Sequence, residues 1–552
     1  MSRHLRPLLF VLAAAIMARG ALLASNAVSF HSDEAIVGLM ARHIVQGERP
    51  VFFYGQAYMG SLDAWLVAVG FRLLGESVLT IRVVQSVLYL AMVLTGYVIA
   101  WRFSGKIVIA LVTGLMLALP TSLFALYTTA SLGGYSEALL CGQLVLLFGY
   151  EAAKDFQANQ RSVLNWSLLG LAAGIGWWVN GLIVVYALPV GLLLLYRLLR
   201  NTHVSVGWRA LWLALAAVMF VVGSAAWWVY NFENHWAALA FYVPSLNPVG
   251  DTHVQYLPGL QTVPVDFQET SGTNIGERAL GLALFGLPAL TGLRFSWAST
   301  YFLPLIGLPV TFITLAALYT LLRDGQHKLL NSEGRTLVLG MVGGLLAIFV
   351  LSQFGKDPTG RYLLPMVLPF SIAFAALIER INLAEKLSAN LRRGSQILLL
   401  ILVLGYQLAG QVTAATTPPG LTTQFDPISH IPNDADAALI SFLEEHQLSR
   451  GYTHYWVSYR LAFLSDEQLL FVPVLPYKVT LIHRIADDRY PRYSDIVAAS
   501  ESYAFINANN PELDSLLVST FEAMGIHYEV EHIGPYTVYF DFDVLPPRPL
   551  SR

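Results

Sequence analysis

The chain is short of charge and almost empty of cysteine. Of its 552 residues, 12 per cent are Asp, Glu, Lys or Arg, about half the ~25 per cent usual in soluble domains. That excludes an ordinary soluble enzyme, a disordered protein and a nucleic-acid binder with a broad basic face. Cys141 is the only cysteine, so an internal disulfide and a Cys-based zinc site are both excluded. A net charge of −3 points to no partner of either sign. No repeat of fixed period runs through the chain, so a two-fold transporter architecture gets no support.

What the chain has is apolar length. Hydrophobic residues make up 55 per cent and mean hydropathy is +0.56. Runs of spanning length lie near 7–27, 79–100, 107–126, 137–150, 166–178, 181–199, 210–230, 301–322, 336–354, 363–379 and 396–412. At about 20 residues per span they predict an α-helical polytopic membrane protein with about 11 transmembrane helices. Trp177 to Gly181 must then turn tightly. The stretch 276–300, with Arg294 and a break expected at Pro288, reads as helices along the interface. Residues 7–27 also fit a signal peptide with Ala24 to Ala27 as its cleavage region. The run is long for that, so a retained span is the favoured reading.

Charge is unevenly placed. Residues 413–552 carry 26 of the 69 charged side chains. This predicts a transmembrane domain over 1–412 and a soluble α/β domain over 413–552, joined at Pro418-Pro419-Gly420. Alternation at Tyr536 to Phe542 reads as a strand, with weaker strands at Leu469–Val474 and Tyr503–Asn507. Pro511 to Met524 reads as a helix capped by Asn510 and stopped at Gly525.

Sixteen Lys and Arg residues, among them Arg3, Arg102, Lys154, Arg161, Arg197, Arg323, Arg335 and Arg392, fall in one set of connections. Seven, including Arg42, Arg278, Lys356 and Arg361, fall in the opposite set. The positive-inside rule then predicts a cytoplasmic N-terminus and an external C-terminal domain in a multi-pass cell-membrane protein. Segments 28–78 and 231–300 become long external loops. A large external domain without disulfides fits a bacterial envelope.

The first loop opens with His31-Ser32-Asp33-Glu34. Ser32 is placed to cap a helix whose first turn holds both acids. The plain reading is a solvated helix start. The chemical reading is a general base, because a partly desolvated carboxylate takes a proton from a hydroxyl or amine. Tyr54, Gln56, Tyr58 and Asp63 are candidates for stacking on and hydrogen-bonding a sugar. For the tyrosines, interfacial anchoring is an equal alternative. Glu137, at the external end of the fourth span, is costly there and so a candidate for function. His31 is the only plausible start of a metal site, and no second His lies at ligand spacing; His235 and His253 belong to another loop.

Asp33-Glu34-Ala35, then Gly47, Pro50, Tyr54 to Tyr58, Leu62 to Trp65, Phe71-Arg72-Leu73-Leu74-Gly75-Glu76 and Ile81-Arg82, resemble the first external loop of GT-C glycosyltransferases. The similarity is to the protein O-mannosyltransferase and aminoarabinose transferase group, glycosyltransferase family 39-like, with the Rgt-type enzymes. It covers roughly residues 5–200 well, continues in topology to 412 and covers the C-terminal domain poorly. The resemblance implies a GT-C fold and transfer of a sugar from a polyprenyl-phosphate donor to an external acceptor, usually with inversion. Asp33 matches the family's catalytic acid, and Glu34 is its neighbour. Arg361-Tyr362-x-x-Pro365 resembles a recurring family feature. With Lys356 it is expected to hold the donor phosphate. The lipid bilayer is an expected partner, and nucleic acid is not. No cofactor or metal is expected, although oligosaccharyltransferase-like members use a divalent ion. One departure stands out. Aminoarabinose transferases carry a Glu-Lys pair where this chain has Tyr58-Met59, which weakens the case for an aminoarabinose donor and a lipid A acceptor. A lipid or glycan transporter or flippase, and a non-catalytic envelope protein, are the competing classes.

Overall fold

The computed structural model describes residues 2–158, 162–200, 204–240, 261–263, 274–324, 328–384, 386–426 and 428–549. Arg161, His253 and residues 241–260 and 264–273 of the loop expected over 231–300 lie outside these. By its contacts the chain forms two compact units. The first joins Met1–Val28, Arg82–Trp236 and Gly272–Leu421. The second joins Ser29–Ile81, Ala237–Ser271 and Thr422–Arg552. The linear division at 412/413 is thus drawn differently: the first loop belongs with the C-terminal segment.

The first unit is helical. All eleven apolar runs fall mainly on helical residues, but 107–126 and 210–230 are each divided between two helices, Ile107–Ala118 with Ser122–Tyr127 and Val206–Gly223 with Ala225–Glu233. Among the described residues, eight helices are long and apolar enough to cross a membrane, from Leu5–Ala24 to Ala389–Thr416. Two shorter apolar helices, Ile107–Ala118 and Val163–Val179, accompany them. Helix Val163–Val179 packs against Val206–Gly223 through small residues. A Cβ added at Gly170 would lie 2.2 Å from the Ala216 carbonyl oxygen, and one at Gly174 as close to that of Phe220. Without side chains there, the two backbones touch, which is how apolar helices associate when hydrophobic burial offers no net drive.

Two details of this unit turn on single residues. Asn180 ends one helix, and its side chain accepts the Leu182 N–H at 3.0 Å, giving the expected tight turn. The expected break at Pro288 does not occur. Residues 275–291 stay helical, with a wide turn over Leu282–Gly286 just before the proline. Pro288 has no N–H for the carbonyl four residues back. That carbonyl, on Leu284, accepts the Tyr301 hydroxyl at 3.0 Å instead.

In the second unit, strands β1 (Phe52–Phe53) and β2 (Gln56–Gly60) make a small hairpin between helices Ser32–Gln46 and Leu62–Leu74. Strand β3 (Gln261–Val263) pairs in parallel with β6 (Ile482–Arg484). The main sheet holds β4 (Arg450–His454), β5 (Leu470–Leu475), β7 (Ala504–Ala508), β8 (Glu529–Ile533) and β9 (Tyr536–Phe540), in the order β5-β4-β7-β9-β8. β5, β4 and β7 run parallel. The β8–β9 hairpin closes antiparallel on β7. Helix Tyr455–Leu464 links the parallel pair β4 and β5, the connection that a parallel pair needs. Its Val457 and Leu461 join Phe471, Ile506 and Val538 in the core. The strands expected at the three sequence positions are present, as is helix Pro511–Ala523 with its Asn510 cap.

Candidate functional site

The helix Ser32–Gln46 begins differently from expectation. His31, in extended backbone, stands at its N-cap and makes no side-chain cap. The Ser32 hydroxyl does not cap either, because it donates to the Tyr455 carbonyl oxygen of the C-terminal segment. His31 is buried, its Nε2 2.9 Å from Thr423 Oγ1 and its ring edge-on to Trp456. The neighbouring acids diverge. Glu34 is fully buried, while Asp33 is half-buried.

Asp33 Oδ1 accepts a hydrogen bond of 2.5 Å from the Tyr455 hydroxyl. Burial first, and the Asp33 charge second, hold the Tyr455 phenol far above its ordinary pKa, so it stays a donor. Beside this pair stands Arg489, its guanidinium 5.5 Å from the centre of the Tyr455 ring. With its amide oxygen turned inward, Gln56 accepts from both terminal nitrogens of Arg489, at 2.8 and 2.9 Å. Burial opposes the arginine's charge. The field of Tyr455, Asp487, Tyr58 and Asp33 outweighs burial and raises its pKa. Of the residues expected from the sequence, Asp33, Gln56 and Tyr58 therefore gather around one arginine. Tyr455 and Arg489 were not anticipated. Both lie more than 400 positions downstream of Asp33, and only the polar run Asp487-Asp488-Arg489 hints at a site.

Tyr54 and Asp63 serve elsewhere in this unit. The Tyr54 ring stacks on Tyr490 at 4.6 Å, and its hydroxyl donates to Glu48 Oε2 at 2.9 Å. His43 Nδ1 lies 2.9 Å from that hydroxyl, and its Nε2 lies 2.8 Å from Glu467 Oε1. Asp63 is fully buried and accepts the N–H of Ala64 at 2.8 Å, at the start of its helix. The Phe71 to Glu76 signature has a structural use as well. Gly75 ends helix Leu62–Leu74 with φ +86°, and Glu76 accepts from Arg42 Nε at 2.6 Å. Arg42 also pairs with Asp466 at 3.0 Å and Glu467 at 3.4 Å, which fastens the loop to the C-terminal segment.

The remaining candidates lie in the first unit. Glu137 is buried, and its Oε1 accepts from Gln85 Nε2 at 3.1 Å. Arg361 Nε lies 2.6 Å from Asp357 Oδ2, a close ion pair. Its guanidinium also sits 4.9 Å from the Tyr362 ring centre. The turn from Lys356 to Arg361 is braced from outside. Arg294 donates to the Pro358 carbonyl at 2.5 Å, and Ser296 donates to that of Thr359 at 3.1 Å. Gly360, at φ +87°, completes the turn. Among the described residues no three His, Cys, Asp or Glu side chains gather as a metal site.

No protein-family model matches the chain. Two crystal structures of ArnT from Cupriavidus metallidurans superimpose on almost its whole length. The one bound to undecaprenyl phosphate has a TM-score of 0.62 at 15% identity, over 97% of this chain and 98% of that one. The apo form has a TM-score of 0.61 at 16% identity. The chain has the fold of these ArnT structures. An oligosaccharyltransferase from Archaeoglobus fulgidus shares it at a TM-score of 0.50 and 10% identity, over 92% of this chain and 69% of that one. In sequence, the chain is 26% identical over 322 residues to the undecaprenyl phosphate-alpha-4-amino-4-deoxy-L-arabinose arabinosyl transferase 2 of Pseudomonas fluorescens (strain Pf0-1). That match spans 52% of this chain and 54% of the relative, about half of each.

Proposed function

We propose that this GT-C chain is a membrane glycosyltransferase that moves a sugar from a polyprenyl-phosphate donor to an extracytoplasmic acceptor. The observation that carries the reading is the half-buried Asp33 carboxylate, held by Tyr455 and flanked by Arg489. Undecaprenyl phosphate bound to the ArnT of like fold supports the donor class.

The acceptor hydroxyl attacks the anomeric carbon from the face opposite the phosphate. The bond from that carbon to the phosphate oxygen breaks, and the electron pair leaves with the polyprenyl phosphate. Asp33 takes the acceptor's proton. The phosphate is already a stable anion, so no acid need protonate it. One carboxylate therefore suffices, unlike the pair that glycoside hydrolysis uses. Arg361 and Lys356 are the first unit's own candidates for holding a polyprenyl phosphate, the first by a bidentate fork and the second as a point charge. Glu34, fully buried beside the base, acts as structure. In this reading the N-terminus is cytoplasmic and the second unit lies outside the membrane.

The test is release of polyprenyl phosphate from a synthetic polyprenyl-phosphate sugar by the purified protein in liposomes, with envelope lipids and glycans as acceptors. Release that depends on both protein and acceptor supports the reading. Movement of the intact donor across the bilayer without cleavage would make the chain a flippase.

A further inference from the structure

We propose that the Arg489 guanidinium is the oxyanion-binding group of the Asp33 site. It would take either the phosphate of a lipid-linked donor or the carboxylate of an acidic sugar. The inference rests on the glycosyltransferase reading and adds to it a recognition residue supplied by the C-terminal segment.

The partners of the Arg489 guanidinium among the described residues are the Gln56 amide and the face of Tyr455, both neutral. Its Nε makes no hydrogen bond there. A guanidinium carries five N–H donors, and Gln56 takes two of them. A structural arginine in a protein interior normally meets a carboxylate, because a buried charge without one is costly. Arg460 of the same unit shows the contrast. It is buried and pairs with Asp436 at 2.8 Å. Asp33 and Asp487 stabilise the Arg489 charge through their field but form no direct ion pair with it among the described residues, which leaves part of its fork open to an anion.

Its position is also built. The Arg489 N–H donates to the Tyr459 hydroxyl at 2.5 Å, and that hydroxyl donates in turn to the Asp487 carbonyl at 3.1 Å. Across from it the hairpin turns at Gly55, with φ +68°, where a Cβ would come within 3.1 Å of Arg489 Cα. The glycine lets the hairpin close onto the arginine backbone. The hairpin's own Tyr58-Met59 brings no cation, so Arg489 supplies the positive charge at this place. Beside Asp33 it would also offset the repulsion between the base and an arriving anion. A planar fork suits phosphate and carboxylate alike.

Binding of three probes to the full-length protein in nanodiscs tests this: undecaprenyl phosphate, undecaprenol and free glucuronate. The variants are Arg489→Ala, Arg489→Lys and Gln56→Glu. The last places a carboxylate on the guanidinium without removing it, and so occupies the site from within while the fold keeps its contact. Loss of a charge-assisted contact should weaken binding about 10- to 100-fold. Arg489→Ala and Gln56→Glu should both show this for undecaprenyl phosphate, Arg489→Lys should recover part, and undecaprenol should be unaffected. The same pattern for glucuronate instead would make the oxyanion a sugar carboxylate and would still support the proposal. If the wild type binds undecaprenyl phosphate and both variants bind it equally well, with glucuronate unchanged, Arg489 is not an anion site and the glycosyltransferase reading survives. If the wild type binds neither anion, both ideas fall.

Discussion

The hydroxyl of Tyr455 donates to the carboxylate of Asp33 across 422 positions of sequence, at 2.5 Å. It is the hydrogen bond that this carboxylate makes among the described residues, and it fixes where the carboxylate points. Tyr455→Phe removes it and keeps the ring. A hydrogen bond to a charged group contributes about 1.5–3 kcal/mol, and part of that here serves positioning. The variant should lose about 10-fold in kcat with little change in KM. An unchanged kcat would show that Asp33 needs no such support.

The second unit should lose stability in acid in two stages. Burial first, and the charge of Arg460 as well, push the His454 imidazole down to about 4 from 6.5, against a raising contact with the Ala508 backbone. Folding therefore keeps His454 neutral where the unfolded chain would bind a proton. This stability is complete above pH ~6.5 and is lost as pH falls towards about 4, some ~3 kcal/mol in all. Glu467 follows. Burial would raise its carboxyl, but hydrogen bonds from His43 and Tyr493 and the charge of Arg42 win and hold it at about 2. Its contribution is present above pH ~4.5 and fades as pH falls towards 2. Hydrogen exchange at β4, read from pH 8 to pH 3, checks the first stage. His454→Phe should flatten the fall between 6.5 and 4.

The helices were legible in the sequence because the apolar runs are dense and a membrane allows little else, although the breaks after Ala118 and Gly223 were not foreseen. The strands of the C-terminal sheet showed in their alternation and flanking turns. The association of Ser29–Ile81 with Thr422–Arg552 was not legible. It rests on single contacts such as Arg42 with Asp466 and Phe30 N–H with Asn433 Oδ1 at 3.0 Å, whose partners are about 400 residues apart. Nothing local marks them. Ser32 misled for the same reason. A serine at a helix start looks like a cap unless the distant carbonyl of Tyr455 is known. Asp33, Gln56 and Tyr58 were visible because they share one loop, while Arg489, which gathers them, sits on another.

Arg361 tests the treatment of the leaving phosphate. Its guanidinium is paired with Asp357, so a phosphate must displace that carboxylate. Arg361→Ala should slow transfer about 10²-fold or more, and Arg361→Lys should recover part, because an ammonium is not bidentate. Wild-type turnover should persist in excess EDTA. If chelation stops it and Mg²⁺ or Mn²⁺ restores it, the phosphate is met by a metal, and Asp33 and Glu34 become candidate ligands.

The orientation can be read directly. Ser441 is exposed on helix Asp436–Glu445. With buried Cys141 as background, Ser441→Cys should react with a membrane-impermeant maleimide in right-side-out spheroplasts. Labelling only after the membrane is broken would put the second unit, and Asp33 with it, in the cytoplasm.

The central claim is that Asp33 takes the acceptor's proton. The direct measurement is transfer of radiolabelled sugar from a polyprenyl-phosphate donor by wild type and Asp33→Asn, with donor binding measured on the same preparations. An amide keeps the size and the contact with Tyr455 but cannot act as a base. Asp33→Asn should bind donor within a few-fold of wild type and transfer sugar at a rate at least about 10²-fold lower. Near-normal transfer by Asp33→Asn would contradict it.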